Sequence, residues 1–356
     1  MSAAKPARST QLDGWRAVGV LGVMWLHWAP REWRGAFPFE IGLYFFLTLT
    51  GFLITRILLK DRAKGEESGA SWKSSSFRTF QTRRALRIMI PCYLAMLFAI
   101  AAGASDIREN PGWYFAHLSN FHIAFLPEYP GGTAHYWTLA IQQQFYLLWP
   151  IFIFLLPRKS LIPFSILCIA IAPISRAILE QHFPSVHHAG AITTSALDYL
   201  GAGSLLALLF SKGAKPGNRR LSLAAWICFA CYLPLYCLSE ADIQIPVLRH
   251  LQQTFLSFAM IGLISATLVG LPGRLGRWLE TPSMQHIGKL SYGLYLFHAT
   301  VPMALGWVLP FLWNGGDSQL MLALRLIVFA LSSWGIAWLC WRYVEVPLAK
   351  MKQRFN

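Results

Sequence analysis

The chain has 356 residues, 55% of them hydrophobic and only 13% charged, against about 25% charge in a typical soluble domain. This composition excludes an ordinary soluble enzyme and points to an all-α integral membrane protein. The net charge of +15 would suggest nucleic acid in a soluble protein, but here its distribution along the chain argues for a membrane and against a nucleic-acid partner.

The apolar residues fall into stretches close to the ~20 that a helix needs to cross ~30 Å of hydrocarbon. In chain order the predicted spans are Gln11–Ala29, Phe37–Leu59, Leu86–Gly103, Tyr136–Leu156 and Leu161–Ile178. They continue with Thr194–Phe210, Leu221–Leu238, Leu251–Leu271, Lys289–Leu309 and Gln319–Tyr343. About ten crossings put both termini on one side. With that side cytoplasmic, 25 of the 31 Lys and Arg lie inside, and Arg31, Arg34, Arg108, Arg176, Arg249 and Arg325 fall outside or near the outer ends. Every loop then obeys the positive-inside rule. The start resembles a signal peptide in charge order, but no small-residue cleavage site follows Trp28, so it reads as a retained helix. Residues 1–356 form a single domain without repeats. Within it, 60–82, with GEESGAS and SSS, reads as a flexible cytoplasmic loop. Residues 104–134 read as an aromatic-rich outer loop packed on the bundle or lying at the interface. The six cysteines lie in predicted helices as packing residues, and no metal-ligand spacing stands out.

Ionisable groups inside a membrane face the protein interior or a hydrated cavity. The first span, QLDGWRAVGVLGVMWLHW, places Arg16 and His27 eleven residues apart, on nearly the same face and roughly 16 Å along the axis. Asp13, one turn earlier, can orient the guanidinium. His27 fits a general base, since imidazole titrates near neutral pH; a histidine bonded to a neighbouring helix is the bland alternative. In RRALRIMIP, Arg83 and Arg87 share a face, with Arg84 three residues before Arg87, at a helix start suited to phosphate. Plain membrane anchoring explains them as readily. In HYWTLAIQQQFYLLWP, His135, Leu139, Gln142 and Tyr146 form a stripe with Trp137 and Gln144 nearby; interhelical glue is the competing role for the glutamines. In KLSYGLYLFHA, Ser291 and His298 share a face with Tyr295 between them, and Tyr292 is expected to turn away. RYVEVPLAK closes the last span: Pro347 is expected to stop the helix and Glu345 could pair with the cytoplasmic arginines.

In this order, LDGWRAVGVLGVMWLHW, FFLTLTGFLIT, RRALRIMIPCYL, HYWTLAIQQQFYLLWP, GKLSYGLYLFH and RYVEVPL resemble the motifs of the acyltransferase 3 family of bacterial inner-membrane O-acyltransferases. The resemblance spans nearly the whole chain. It implies a multi-pass protein of the bacterial inner (cytoplasmic) membrane whose donor is acyl-CoA, commonly acetyl-CoA, with no permanently bound cofactor. The acceptor it implies is a hydroxyl of an envelope polysaccharide or glycolipid such as lipopolysaccharide or peptidoglycan. By the same resemblance His27 is catalytic with Arg16 as its partner, and Arg83, Arg84 and Arg87, with Ser291 and Tyr295, meet the donor. Asp13, His135, Trp137, Gln142, Gln144, His298 and Glu345 would support the site or the acceptor. The chain departs from the family where Gln142 and Gln143 replace a usual Glu pair, because Gln hydrogen-bonds but carries no charge. It ends at Asn356 with no esterase-like domain expected after the bundle. Two other functions fit the same residues: a transporter or flippase that makes no bond, and a transferase acting on a small acceptor such as a macrolide.

Overall fold

In the computed structural model, the described residues are 10–69, 71–243, 245–311 and 318–351. Lys5, Arg8, Lys352 and Arg354, four of the charges assigned to the inner side, lie outside them. The described residues form helices and no strand. Helix α1 covers Thr10–Trp28, α2 Arg31–Arg34, α3 Ile41–Ser68, α4 Trp72–Arg84 and α5 Ile90–Ala101. Three short helices follow, α6 Ser105–Glu109, α7 Pro111–Phe115 and α8 Ser119–Ala124. The bundle continues with α9 Tyr136–Leu155, α10 Leu161–His182, α11 Leu197–Ser211, α12 Arg219–Glu240 and α13 Pro246–Val269. It closes with α14 Gly273–Leu279, α15 Pro282–Phe297, α16 Thr300–Val308, α17 Gln319–Cys340 and α18 Val346–Met351.

Each of the ten predicted spans coincides with helix, and eight helices among the described residues are long and apolar enough to cross a membrane. The two that fall short are α1, which carries Asp13 and Arg16 within 19 residues, and α15, which has only 16 residues. They pack directly on each other. The ninth predicted span is broken near His298, where α15 ends and α16 begins. The least membrane-like helices are therefore the pair that carries the site.

Three expectations are corrected. Residues 60–82 are mostly helix rather than a loop, because α3 runs on to Ser68 and α4 begins at Trp72. The helix formers of this segment outweigh its Gly and Ser residues, and Arg62 pairs with Glu66 one turn on at 2.6 Å. Arg62 also donates to the carbonyls of Ile153 (2.6 Å) and Leu156 (2.8 Å), groups at the end of α9 that lack intrahelical donors. Nor does Pro347 stop the last helix. A π-helical turn over Trp341–Glu345 carries the chain into α18. Pro347 has no N–H for the carbonyl of Tyr343 four residues back, and the wider turn accommodates its ring. The same device, a π turn over Ala85–Met89 ahead of Pro91, joins α4 to α5, so Arg83, Arg84 and Arg87 do not keep ideal α-helical spacing. In the segment 104–134, read as packed on the bundle or lying at the interface, Tyr114 is buried, and the hydroxyl of Tyr93 on α5 donates to the carbonyl of Phe115 at 3.2 Å.

Close backbone approach holds the site helices together. A Cβ at Gly288 of α15 would lie 2.1 Å from the carbonyl oxygen of Asp13 on α1, so no side chain fits there. Gly288→Val is expected to separate α1 from α15 and lower the melting temperature of the purified protein by several degrees; unchanged melting would show that this contact is dispensable.

Candidate active site

The site begins on α1. The Asp13 carboxylate accepts a hydrogen bond from Arg16 Nη1 at 3.0 Å, as their spacing predicted. Arg16 lines an open cavity. Arg84 and Arg87 from the basic segment, Leu139, Gln142 and Tyr146 from α9, and Ser291 and Tyr295 from α15 line it too. Its remaining wall comes from α3, through residues such as Phe46 and Thr50. A second open cavity shares Arg16, Arg87 and Tyr292 with the first and adds Arg83, Lys289 and Glu345. The arginines of two separate motifs, with Lys289 of a third, thus converge on neighbouring cavities that share lining residues. Tyr292, expected to face away, lines both cavities, and its hydroxyl donates to the carbonyl of Ile88 at 2.7 Å.

His27 stands apart from this lining. It is exposed, and its imidazole meets His298 with ring centroids 4.8 Å apart. His298 is fully buried and also meets His135 (5.1 Å) and Tyr295 (5.5 Å). Tyr295 therefore joins the cavity to a cluster of three histidines. The Tyr295 ring is pinned by a 2.6 Å hydrogen bond between its hydroxyl and Thr138 Oγ1. Arg16 and His27, expected on one face of α1, do not line one continuous cavity. Tyr295 of α15 and His298, directly after that helix, stand between the cavity and His27.

Hydrogen-bond partners assign the tautomers. His298 Nδ1 lies 2.8 Å from the Tyr295 carbonyl, which can only accept, so Nδ1 carries the proton and Nε2 of the neutral ring is an acceptor. His27 Nδ1 lies 2.8 Å from the Val23 carbonyl and 3.3 Å from His298 Nε2, so it too carries its proton and shares it between them. The lone pair of His27 is thereby left on Nε2. His135 donates from Nε2 to the Leu296 carbonyl at 3.1 Å. Trp28 Nε1 donates to the His298 carbonyl at 2.9 Å and fixes the end of α1 against the break after α15. The cluster presents an imidazole whose Nδ1 is engaged and whose Nε2 is the nitrogen left to exchange a proton, which suits a general base.

Other predicted residues divide cleanly. Gln142 and Ser291 line the cavity, and Ser291 Oγ is buried without a hydrogen-bond partner among the described residues. Glu345 lies in the second cavity with Arg16 and Arg87. Gln144 is a fastener instead: it donates to the His117 carbonyl (2.9 Å) and to Asn120 Oδ1 (2.8 Å), and accepts from Thr193. His117 has φ of +55°, and its buried imidazole is pushed down to about 4 by loss of solvent. Trp137 packs into the apolar core beside Val186 and Ala189, away from the cavity. Thr138, which holds the Tyr295 hydroxyl, and the α3 wall of Phe46 and Thr50 were missed, since nothing in an apolar helix marks a threonine as that partner or a phenylalanine as lining.

Fold and site together define the class: an all-α, multi-pass membrane protein with a polar cavity inside its bundle. The chain belongs to the acyltransferase 3 family, whose model, described as an acyltransferase domain, matches residues 9–342. It is similar to the peptidoglycan O-acetyltransferase OatA of Listeria monocytogenes, at 27% identity over 95% of this chain and 55% of that protein. The putative peptidoglycan O-acetyltransferase YrhL of Bacillus subtilis is 27% identical over 82% of this chain and 48% of its own length. The O-acetyltransferase OatA of Staphylococcus aureus is 24% identical over 95% and 57%. The chain spans about half the length of these relatives. No solved structure matches it.

Proposed function

We propose that this protein transfers an acyl group, acetyl in the simplest case, from acyl-CoA to a hydroxyl of an envelope glycan, with peptidoglycan or a related polymer as acceptor. One observation carries this reading: a cavity rimmed by Arg16, Arg84 and Arg87 reaches Tyr295, and Tyr295 abuts an imidazole cluster whose outermost member has a free basic nitrogen. The donor phosphates are held at the arginines, from the cytoplasmic side, and the pantetheine arm extends toward Tyr295. Delivery of the thioester to His27 requires the Tyr295–Thr138 hydrogen bond to open. His27 Nε2 takes the acceptor hydroxyl proton as the oxygen attacks the thioester carbon; the carbon–sulfur bond breaks, and the proton passes to the departing thiolate. His298 holds the other nitrogen of His27 throughout. Names of the relatives support the acceptor class, and the helical bundle supports the membrane setting.

The test is purified protein in liposomes, given acetyl-CoA labelled in the acetyl group and peptidoglycan fragments. Ester-linked label on the glycan together with free CoA is the expected result. The position of His27 outside the cavity lining also suits a protein that moves its substrate past Tyr295 without making a bond. Movement of substrate across the bilayer with no CoA released would establish that translocation and overturn the transferase.

A further inference from the structure

The basic lining does not stop at the two cavities described above. On the other side of Arg84, the α3–α4 hairpin lines a third open cavity. Buried Arg84 lies over the rings of Phe80 (5.2 Å) and Tyr146 (5.7 Å) and lines both this space and the first cavity. Arg83 lines both this space and the second. From α3 come Lys60 and Lys64, one turn apart and both exposed, with Asp61 between them. Four cations therefore face one carboxylate. The hydroxyl residues Ser76 and Thr79 and the indole of Trp72 complete the parts that matter. Gly65 leaves room for that indole: a Cβ there would lie 2.3 Å from the ring.

We infer that the α3–α4 cleft is a second anion subsite that binds the 3′-phosphorylated adenosine end of the acyl-CoA donor through Lys60 and Lys64, an assignment that rests on the acyl-CoA reading above. Coenzyme A carries phosphate at two places, a pyrophosphate next to the pantetheine and a monoester on the ribose at the far end. The protein likewise offers two basic clusters, Arg16, Arg87 and Lys289 in one cavity and Lys60 and Lys64 in the other, joined at Arg83. A doubly charged monoester gains most from mobile ammonium groups and hydroxyl donors, and an adenine from an aromatic wall. The pyrophosphate is left to the planar guanidinium groups nearer the bundle axis.

The experiment compares acetyl-CoA with its 3′-dephospho form as donors, and CoA with dephospho-CoA in calorimetric binding to the detergent-purified full chain. The wild type is expected to favour the phosphorylated form by about 10- to 100-fold in KM and in Kd, the scale of a few charge-assisted hydrogen bonds. Lys60→Gln with Lys64→Gln should erase that preference by raising KM and Kd for the phosphorylated form to those of the dephospho form, and Lys60→Arg with Lys64→Arg should retain it. Equal use of both donors by the wild type overturns the inference and leaves the acyl-CoA reading standing. So does a preference that survives the double glutamine variant. If that variant instead loses binding only to phosphatidylglycerol vesicles, the cleft serves lipid headgroups and the inference is equally overturned. If neither donor turns over and neither CoA form binds, the acyl-CoA reading itself falls.

Discussion

His27→Ala is expected to lower acyl transfer by about 10²- to 10⁴-fold, the usual worth of a positioned general base, with no loss of folded protein. Folding should be spared because His27 is exposed and its one backbone partner, the Val23 carbonyl, lies within α1, where the next turn supplies a donor. The comparison with His298→Ala makes the result diagnostic. That side chain is fully buried and touches His27, so under the proposed mechanism its loss should lower kcat by about 10-fold and leave the donor KM unchanged. It should also move the pH profile of kcat, which a purely structural residue would not do. Measurements of CoA release and of glycan-bound label decide the matter. Normal transfer by His27→Ala would remove the basis for the site.

The largest effect on stability should come from a pair far from this chemistry. Arg176 on α10 donates through Nη2 to Asp198 Oδ2 on α11 at 2.8 Å, and the two side chains are 4% and 0% exposed. Arg176 also donates to the carbonyls of Ser195 and His250 and to Thr254 Oγ1 (3.0 Å), tying α10, the start of α11 and α13 into one node. Asp198 accepts a further bond from Thr254 Oγ1 at 2.8 Å. Asp198→Ala leaves the guanidinium buried without its anion, at a cost of about 3–5 kcal/mol. Thermal melting of the purified protein should fall by roughly 5–15 °C. Arg176→Met combined with Asp198→Leu should recover most of that loss, because removing both charges also removes the desolvation penalty. Activity per folded molecule should stay near wild type. Unchanged melting of Asp198→Ala would show that the pair contributes nothing.

The contrast between these two predictions follows from what sequence spacing can carry. Arg16 and Asp13 sit three residues apart on one helix, and their contact was legible because helical geometry alone fixes it. Arg176 and Asp198 sit on different helices, so no period relates them. For the same reason Gln144 looked like a site residue until the structure tied it to His117 and Asn120.

Length, hydropathy and the order of motifs were enough to place ten helical spans, to set Arg16 and His27 on one face of α1, and to give the chain its resemblance to a family that the comparisons then showed. These features are local, resting on the rise and turn of single helices and on the cost of burying charge in hydrocarbon. Tertiary packing decided the rest. It brought α15 against α1 through Gly288, placed His298 between His27 and Tyr295, and split the basic lining into neighbouring cavities. It also turned a polar connector into the helical wall of one of them. Which face of a helix meets which neighbour depends on close backbone approach and on polar groups finding partners across the bundle, and neither is written in the period of one segment.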